Sequence, residues 1–338
     1  MKTFEKFTIK DLDLKNKIVM PPMCMYSSDE SGEVKDFHKT HYESRAIGGT
    51  GLIIVEATAV IPNGRISNGD LGIWSDDHIE GLKSLVEGAH RYDSKIAIQL
   101  AHAGRKSESG NEFIVAPSPI SHSDHYQDPQ ELTKEGISNL VDQFKHGARR
   151  ALEAGFDSIE IHAAHGYLIH EFLSPITNKR KDKYGGSLEN RTRFLREILL
   201  AIKEVWPDEK PIIVRFSGTD YAEGGIDEEE IINIINASKD LFDIAHISSG
   251  GLVDVDIDVF PGYQVKLAEN IKKHCDIPTI AVGIIEDFNQ IEEILSNDRA
   301  DLVALGRKLL REPYAPLHMA HENEADIEYP AQYKRSFR

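Results

Sequence analysis

The sequence predicts an α/β fold: a closed (β/α)8 barrel, the TIM barrel, forming a single domain over residues 1–338. Two observations carry this. Eight short, β-branched runs recur along the chain, each near-continuously apolar rather than alternating, as parallel strands covered on both faces read. Longer amphipathic stretches separate them, and no Pro/Gly/Ser-rich linker or break in composition divides the 338 residues. An open doubly wound sheet is the alternative topology; eight repeats in one chain favour closure.

The runs, in order, are "KIVMPPM" (17–23), "GLIIVEA" (51–57), "KIAIQLAH" (95–102), "SIEIHAA" (158–164), "PIIVRFS" (211–217), "DIAHISSG" (243–250), "PTIAVG" (278–283) and "ADLVALGR" (300–307). Behind the third lies a polar segment rich in Ser, Pro and His, about 103 to 134, which reads as a lid-like insertion. The helical pattern after it, 133 to 155, starts where Thr133 can cap the first turn and stops where Gly155 can end the last. The end of the chain, about 325 to 338, reads as a tail.

Composition excludes several functions. With 39 basic against 56 acidic residues the formal charge is -17, which repels nucleic-acid phosphates and anionic membrane surfaces, so neither is expected as a partner. Two cysteines, Cys24 and Cys275, are too few for a disulfide framework, a Cys-based zinc site or a four-thiolate cluster. The N-terminus has no apolar signal region, and no apolar run reaches the length of a membrane span. A reduced, cytoplasmic protein is expected.

In such barrels the chemistry sits at the carboxyl ends of the strands. The last three exits carry small residues, backbone N–H groups and a basic side chain: Ser248, Gly250, Gly283, Gly306 and Arg307. Together they form a candidate site for a phosphate dianion, although any one of these glycines, taken singly, reads as a tight turn. Arg215 is a permanent cation in an apolar strand, expected to meet an anionic ligand or, alternatively, a barrel carboxylate such as Glu56 or Glu160. Gln99 suits the edge of a planar heterocycle, or else is a satisfied core amide.

The stretch "HAAHGY" places His162, His165 and Tyr167 at the fourth exit. Two neutral imidazoles can each give one N–H to the same oxygen, a preorganised pair of donors for a developing oxyanion. Tyr167, with an ordinary pKa near ~10, is a candidate proton donor. Structural histidines are the alternative, and a zinc hydrolase built on the pair would leave Gln99 and the phosphate glycines without a role, so no metal is expected.

These residues sit in motifs that resemble the old yellow enzymes, FMN-dependent NAD(P)H oxidoreductases. The resemblance runs from "NKIVMPPMCMYSS" through "LGIWSDDHIEG", "IQLAHAGRK", "IHAAHGYLIHEFLSPITNKRKDKYGGSLENRTRFLREI", "ISSGGLV" and "FPGYQV" to "ADLVALGRKLLREP" and "PAQYKR". It implies non-covalent FMN, reduced by NADPH with NADH as the alternative. It also implies reduction of the activated C=C bond of α,β-unsaturated carbonyls, with nitro compounds, nitrate esters and quinones as further oxidants. FMN rather than FAD agrees with the lack of a GxGxxG unit for an adenosine diphosphate half. By the same resemblance Pro22, Met23 and Cys24 line the flavin, with the Cys24 thiol tuning it. Ala57 and Gln99 touch the pyrimidine ring, Arg215 lies by N1, and Lys106 lies on the flavin or nicotinamide side. Tyr26, His162 and His165 bind the substrate, and Tyr167 or water supplies the proton. Arg335 reaches a neighbouring subunit's site, which implies a homodimer, or a homotetramer built from dimers.

Overall fold

The computed structural model describes residues 1–110 and 113–337, so positions 111 and 112 of the expected insertion and 338 of the tail lie outside the described residues. The eight apolar runs each contain a strand: β1 (Ile18–Met20), β2 (Leu52–Ala59), β3 (Lys95–Ala101), β4 (Ser158–Ala163), β5 (Ile212–Ser217), β6 (Ile244–Ser248), β7 (Thr279–Ala281) and β8 (Leu302–Ala304). They pair in parallel in chain order, and β8 returns to β1, closing the barrel. Among the described residues eight helices cover it: α1 (Asp36–Ile47), α2 (His78–His90), α3 (Lys134–Ala154), α4 (Leu188–Lys203), α5 (Glu228–Asn236), α6 (Val265–Cys275), α7 (Phe288–Ser296) and α8 (Ala315–Glu322). Short helices Leu168–Leu173 and Gly306–Arg311 sit at the exits of β4 and β8.

Strand ends differ from the expectation for local reasons. The first run was expected to extend to residue 23, but β1 stops at Met20 because Pro21 and Pro22 have no N–H to give a neighbouring strand. β8 is three residues, not eight: its ladder ends at Ala304, and Gly306 already opens a helix. The expected helix over 133 to 155 is found as Lys134–Ala154. Thr133 accepts the Gly136 N–H, and Gly155 is left-handed at φ 94°.

Apart from half-buried Lys95 at the start of β3, all eight strands are buried along their length, and their alternate faces feed two separate cores. One, between strands and helices, is large; the other fills the barrel with Val19, Leu52, Ile54, Ala97, Ile213, Ile244, Ile280, Leu302 and Ala304. Its floor comes from a hairpin absent from the sequence reading, Phe7–Ile9 paired with Leu12–Leu14, whose Leu12 and Leu14 are fully buried in that inner core. Fully burying a leucine stabilises by roughly 1.5–3 kcal/mol. The hairpin therefore closes the amino end and leaves the carboxyl end as the open mouth.

The segment after β3 is fastened at its base. Val115–Ala116 pairs with Gln130–Glu131. The Arg180 guanidinium donates to the carbonyls of Pro117 (3.1 Å) and Leu132 (2.7 Å). Among the described residues no helix is long and apolar enough to cross a membrane.

Candidate active site

The end of β4 and the turn after it are held by several contacts. His162 is buried, and its Nδ1 accepts the Ala164 N–H at 3.3 Å, so in the neutral ring the proton sits on Nε2. That Nε2 faces His165 Nδ1 at 3.5 Å. Burial, and then the nearby Arg215 charge, hold both imidazoles well below their usual range, so both are neutral at pH 7. His165 is left-handed at φ 58°, a conformation that costs a non-glycine residue free energy and needs holding. Its N–H donates to Ser217 Oγ (2.9 Å), its Nε2 lies 2.8 Å from Ser248 Oγ, and its carbonyl accepts from Lys106 Nζ (3.1 Å).

Gly166, left-handed at φ 73°, follows, and its N–H donates to His170 Nδ1 at 2.9 Å. Tyr167 then packs edge-on to His162, ring centroids 4.8 Å apart. Burial raises its phenol well above the ordinary range, so it keeps its proton. Lys106 lies 5.2 Å over the Tyr167 ring and also donates to the Gly251 carbonyl at 3.1 Å. Its ammonium thus ties the β4 turn to the β6 exit, a role that the sequence reading did not foresee.

Beside this turn opens a cleft of about 350 Å³ whose walls include Pro22, Met23, His165, Arg215, Ser248, Gly283, Gly306 and Arg307. Gly283 has φ 124°, and a Cβ there would come within 3.0 Å of the Gln264 backbone nitrogen, so the close approach requires glycine. Gly250 departs from the expectation. Its N–H donates to the Thr219 carbonyl at 2.8 Å, closing a left-handed turn at φ 68°, so it has no donor to offer an anion. Ser249, which the sequence reading missed, lines the cleft instead and accepts from Gln264 Nε2 at 2.6 Å.

Arg215 is buried at the cleft floor. Neither suggested carboxylate forms an ion pair with it among the described residues. Glu56 accepts the Met25 N–H (3.0 Å) and the Tyr42 hydroxyl (2.8 Å), while Glu160 takes Gln99 Nε2 (2.8 Å) and His246 Nδ1 (2.6 Å). Among the described residues the guanidinium reaches only the Pro22 carbonyl, at 3.5 Å, and its Nε is buried without a partner. A buried cation with an unused donor, opening on a cleft floored by Pro22 and Met23, fits an anionic planar ligand with a phosphate at the Gly283–Arg307 end.

The β1 exit completes the wall. Cys24 is a free thiol that burial pushes up out of reach of ionisation, with the negative charges of Asp70 and Glu56 adding to the effect. It lies against the backbone of Ala57, itself buried. Tyr26 is left-handed at φ 50° and more than half exposed, with its phenol raised to about 12, chiefly by burial of its inner part. Arg335 is exposed. The tail before it runs past Lys15 and Asn16, which precede β1, and Tyr333 touches Tyr314 hydroxyl to hydroxyl at 3.2 Å. Glu56, Glu160, Ser217 and His170 were not singled out as site residues. The signal available for the first two was an acidic residue inside an apolar strand.

Three comparisons place the chain among known proteins. The family model described as NADH:flavin oxidoreductase / NADH oxidase matches residues 2–326. The NADPH dehydrogenase of Clostridium acetobutylicum is 58% identical over 338 residues, covering 100% of both chains. Among solved structures, the old yellow enzyme homologue from Zymomonas mobilis superposes with a TM-score of 0.82 at 28% identity, covering 97% of this chain and 94% of that one. A 2-naphthoyl-CoA reductase complex superposes with a TM-score of 0.91 at 28% identity over 95% of this chain; the chain spans about half of that protein, 52%.

Proposed function

The chain belongs to the NADH:flavin oxidoreductase / NADH oxidase family, and from that premise we propose that it is an FMN-dependent NADPH dehydrogenase that reduces the activated C=C bond of α,β-unsaturated carbonyls. NADH is the alternative reductant, and nitro compounds, nitrate esters and quinones are further oxidants of suitable chemistry. The observation that carries the reading is the pair of ring nitrogens of His162 and His165, 3.5 Å apart beside the unpartnered Arg215 Nε.

Pro22, Met23, Cys24, Ala57 and Gln99 would hold the ring system of FMN, with Arg215 on its electron-rich edge and Ser248, Ser249, Gly283, Gly306 and Arg307 on its phosphate. When bound, FMN would supply the two-electron redox chemistry that links NADPH to the enone. The protein's part is positioning and charge. His162 and His165, both neutral, donate to the substrate oxygen, where negative charge grows as the double bond is reduced; neutral donors already aimed there need no reorganisation. Tyr167 retains its proton at pH 7 and offers it to the α-carbon, with water as the alternative. Tyr26 covers the substrate from the β1 exit. Lys106 holds the His165 turn in place. The direct test is anaerobic: whether 2-cyclohexenone reoxidises enzyme first reduced with one equivalent of NADPH.

Arg335, by the same reading, completes a neighbouring subunit's pocket in a two-fold dimer, each tail serving the other site. Deleting residues 334 to 338 is then expected to raise the KM for enones while FMN stays bound. A truncated protein with unchanged KM, together with a monomeric mass for the full chain in solution, would return Arg335 to an ordinary solvated charge.

A further inference from the structure

We infer that Glu160 is a positioning residue for the flavin site: from beneath the cleft it fixes which way the Gln99 amide faces and supplies the negative charge that balances Arg215. The inference rests on the placement of Gln99 and Arg215 at FMN proposed above, and goes beyond it.

Glu160 and His246 are fully buried, and Gln99 is nearly so. In the register of the barrel Gln99 lies directly beside Glu160, and His162 and His246 both lie directly beside Arg215. The two carboxylate oxygens are separately engaged, Oε1 by Gln99 Nε2 at 2.8 Å and Oε2 by His246 Nδ1 at 2.6 Å. A carboxylate only accepts, so Gln99 must turn its NH2 group to it. The amide oxygen then points the other way and is free to accept. The ring edge of FMN offers one imide N–H flanked by two carbonyls, and an amide fixed with its oxygen outward suits that N–H. A freely rotating amide would present its NH2 half the time, so Glu160 supplies preorganisation.

The second role is electrostatic. Among the described residues Arg215 has no ion pair, yet its charge must be offset in a buried site. Glu160 supplies part of that offset: it is hydrogen-bonded to His246, which lies beside Arg215 in the β5–β6 pairing, and its charge raises the Arg215 pKa that burial lowers. Removing the Glu160 charge leaves more uncompensated positive potential at Arg215, which favours reduced FMN, the more electron-rich form, over oxidised FMN.

Two substitutions separate the roles. Glu160→Gln can keep both contacts, its oxygen accepting from Gln99 and its NH2 meeting the other tautomer of His246, but it loses the charge. The expected result is a tenfold shift toward reduced FMN, an increase of about 30 mV in the two-electron midpoint potential of the holoenzyme, with little change in FMN affinity. Glu160→Asp keeps the charge but is one methylene too short to hold both partners. Its FMN Kd, read from flavin fluorescence released on dilution of the holoenzyme, is expected to rise about tenfold, the worth of one well-placed hydrogen bond, with the potential unmoved. A potential that stays put in the Gln variant overturns the charge role, and an unchanged Kd in the Asp variant overturns the positioning role. If the Gln variant does not fold, the Asp variant decides by the same criterion, and unchanged affinity there overturns the inference. Gln99→Leu serves as the reference. If it too leaves FMN affinity unchanged, the placement of Gln99 on the flavin fails; if it alone weakens FMN, only the Glu160 inference fails.

Discussion

Replacing both His162 and His165 with alanine is expected to leave FMN bound and to lower enone turnover at least 10²–10³-fold, the typical cost of losing one oxyanion donor; two donors to a single oxygen need not be additive. The flavin should stay because the groups proposed to hold it come from other exits: Pro22 and Met23 after β1, Arg215 in β5, and the small residues after β7 and β8. Substrate should suffer because the two ring nitrogens converge on one point, and burial keeps both rings as neutral donors rather than cations. Titration with a phenol, whose oxygen is expected to meet the same two donors, reads the pair without turnover. Unchanged phenol affinity and unchanged turnover in the double variant would show that the histidines are structural.

Gly166→Ala is expected to lower both stability and turnover although it touches no reacting atom. An alanine at φ 73° costs roughly 1–2 kcal/mol in backbone strain alone. Its Cβ would also lie 2.3 Å from the Gly251 carbonyl oxygen and 2.8 Å from Leu252 Cα, both on backbone that cannot rotate aside. Relieving that overlap means moving the turn, at a further cost of about 1–3 kcal/mol. The turn carries His165 on one side and Tyr167 on the other, and displacing a positioned group by about 1 Å can cost 10² in rate. A lower thermal midpoint with turnover reduced at least tenfold is the expected outcome; wild-type values for both would mean that the turn has slack that the contacts deny.

How much of this was legible beforehand follows from what a single segment can encode. The barrel was, because each strand announces itself locally: "KIAIQLA" and "PIIVRFS" are apolar on both faces whatever stands beside them. The hairpin at the barrel floor was not, because its paired strands are three residues each and only their burial against Val19 and Ile54 gives them meaning. The site divides the same way. His162, His165 and Tyr167 lie at one strand exit, within six residues, and were readable as a motif. Glu160 could be seen only as a candidate partner for Arg215, since its choice of Gln99 and His246 depends on the register of β3, β4 and β6. Gly250 was misjudged for the complementary reason: whether a glycine N–H is free depends on a distant acceptor, here Thr219, that no local pattern names.

The proposed function requires that one site take electrons from NADPH through FMN and deliver them to an activated C=C bond held at its carbonyl by His162 and His165. The flavin spectrum under anaerobic conditions tests it most directly. One equivalent of NADPH should bleach the bound flavin, and 2-cyclohexenone added afterwards should restore the oxidised spectrum with one equivalent of cyclohexanone formed, a recovery slowed at least 10²-fold in the double histidine variant. A bleached flavin that the enone leaves bleached, or recovery at the same rate without the two histidines, would contradict it.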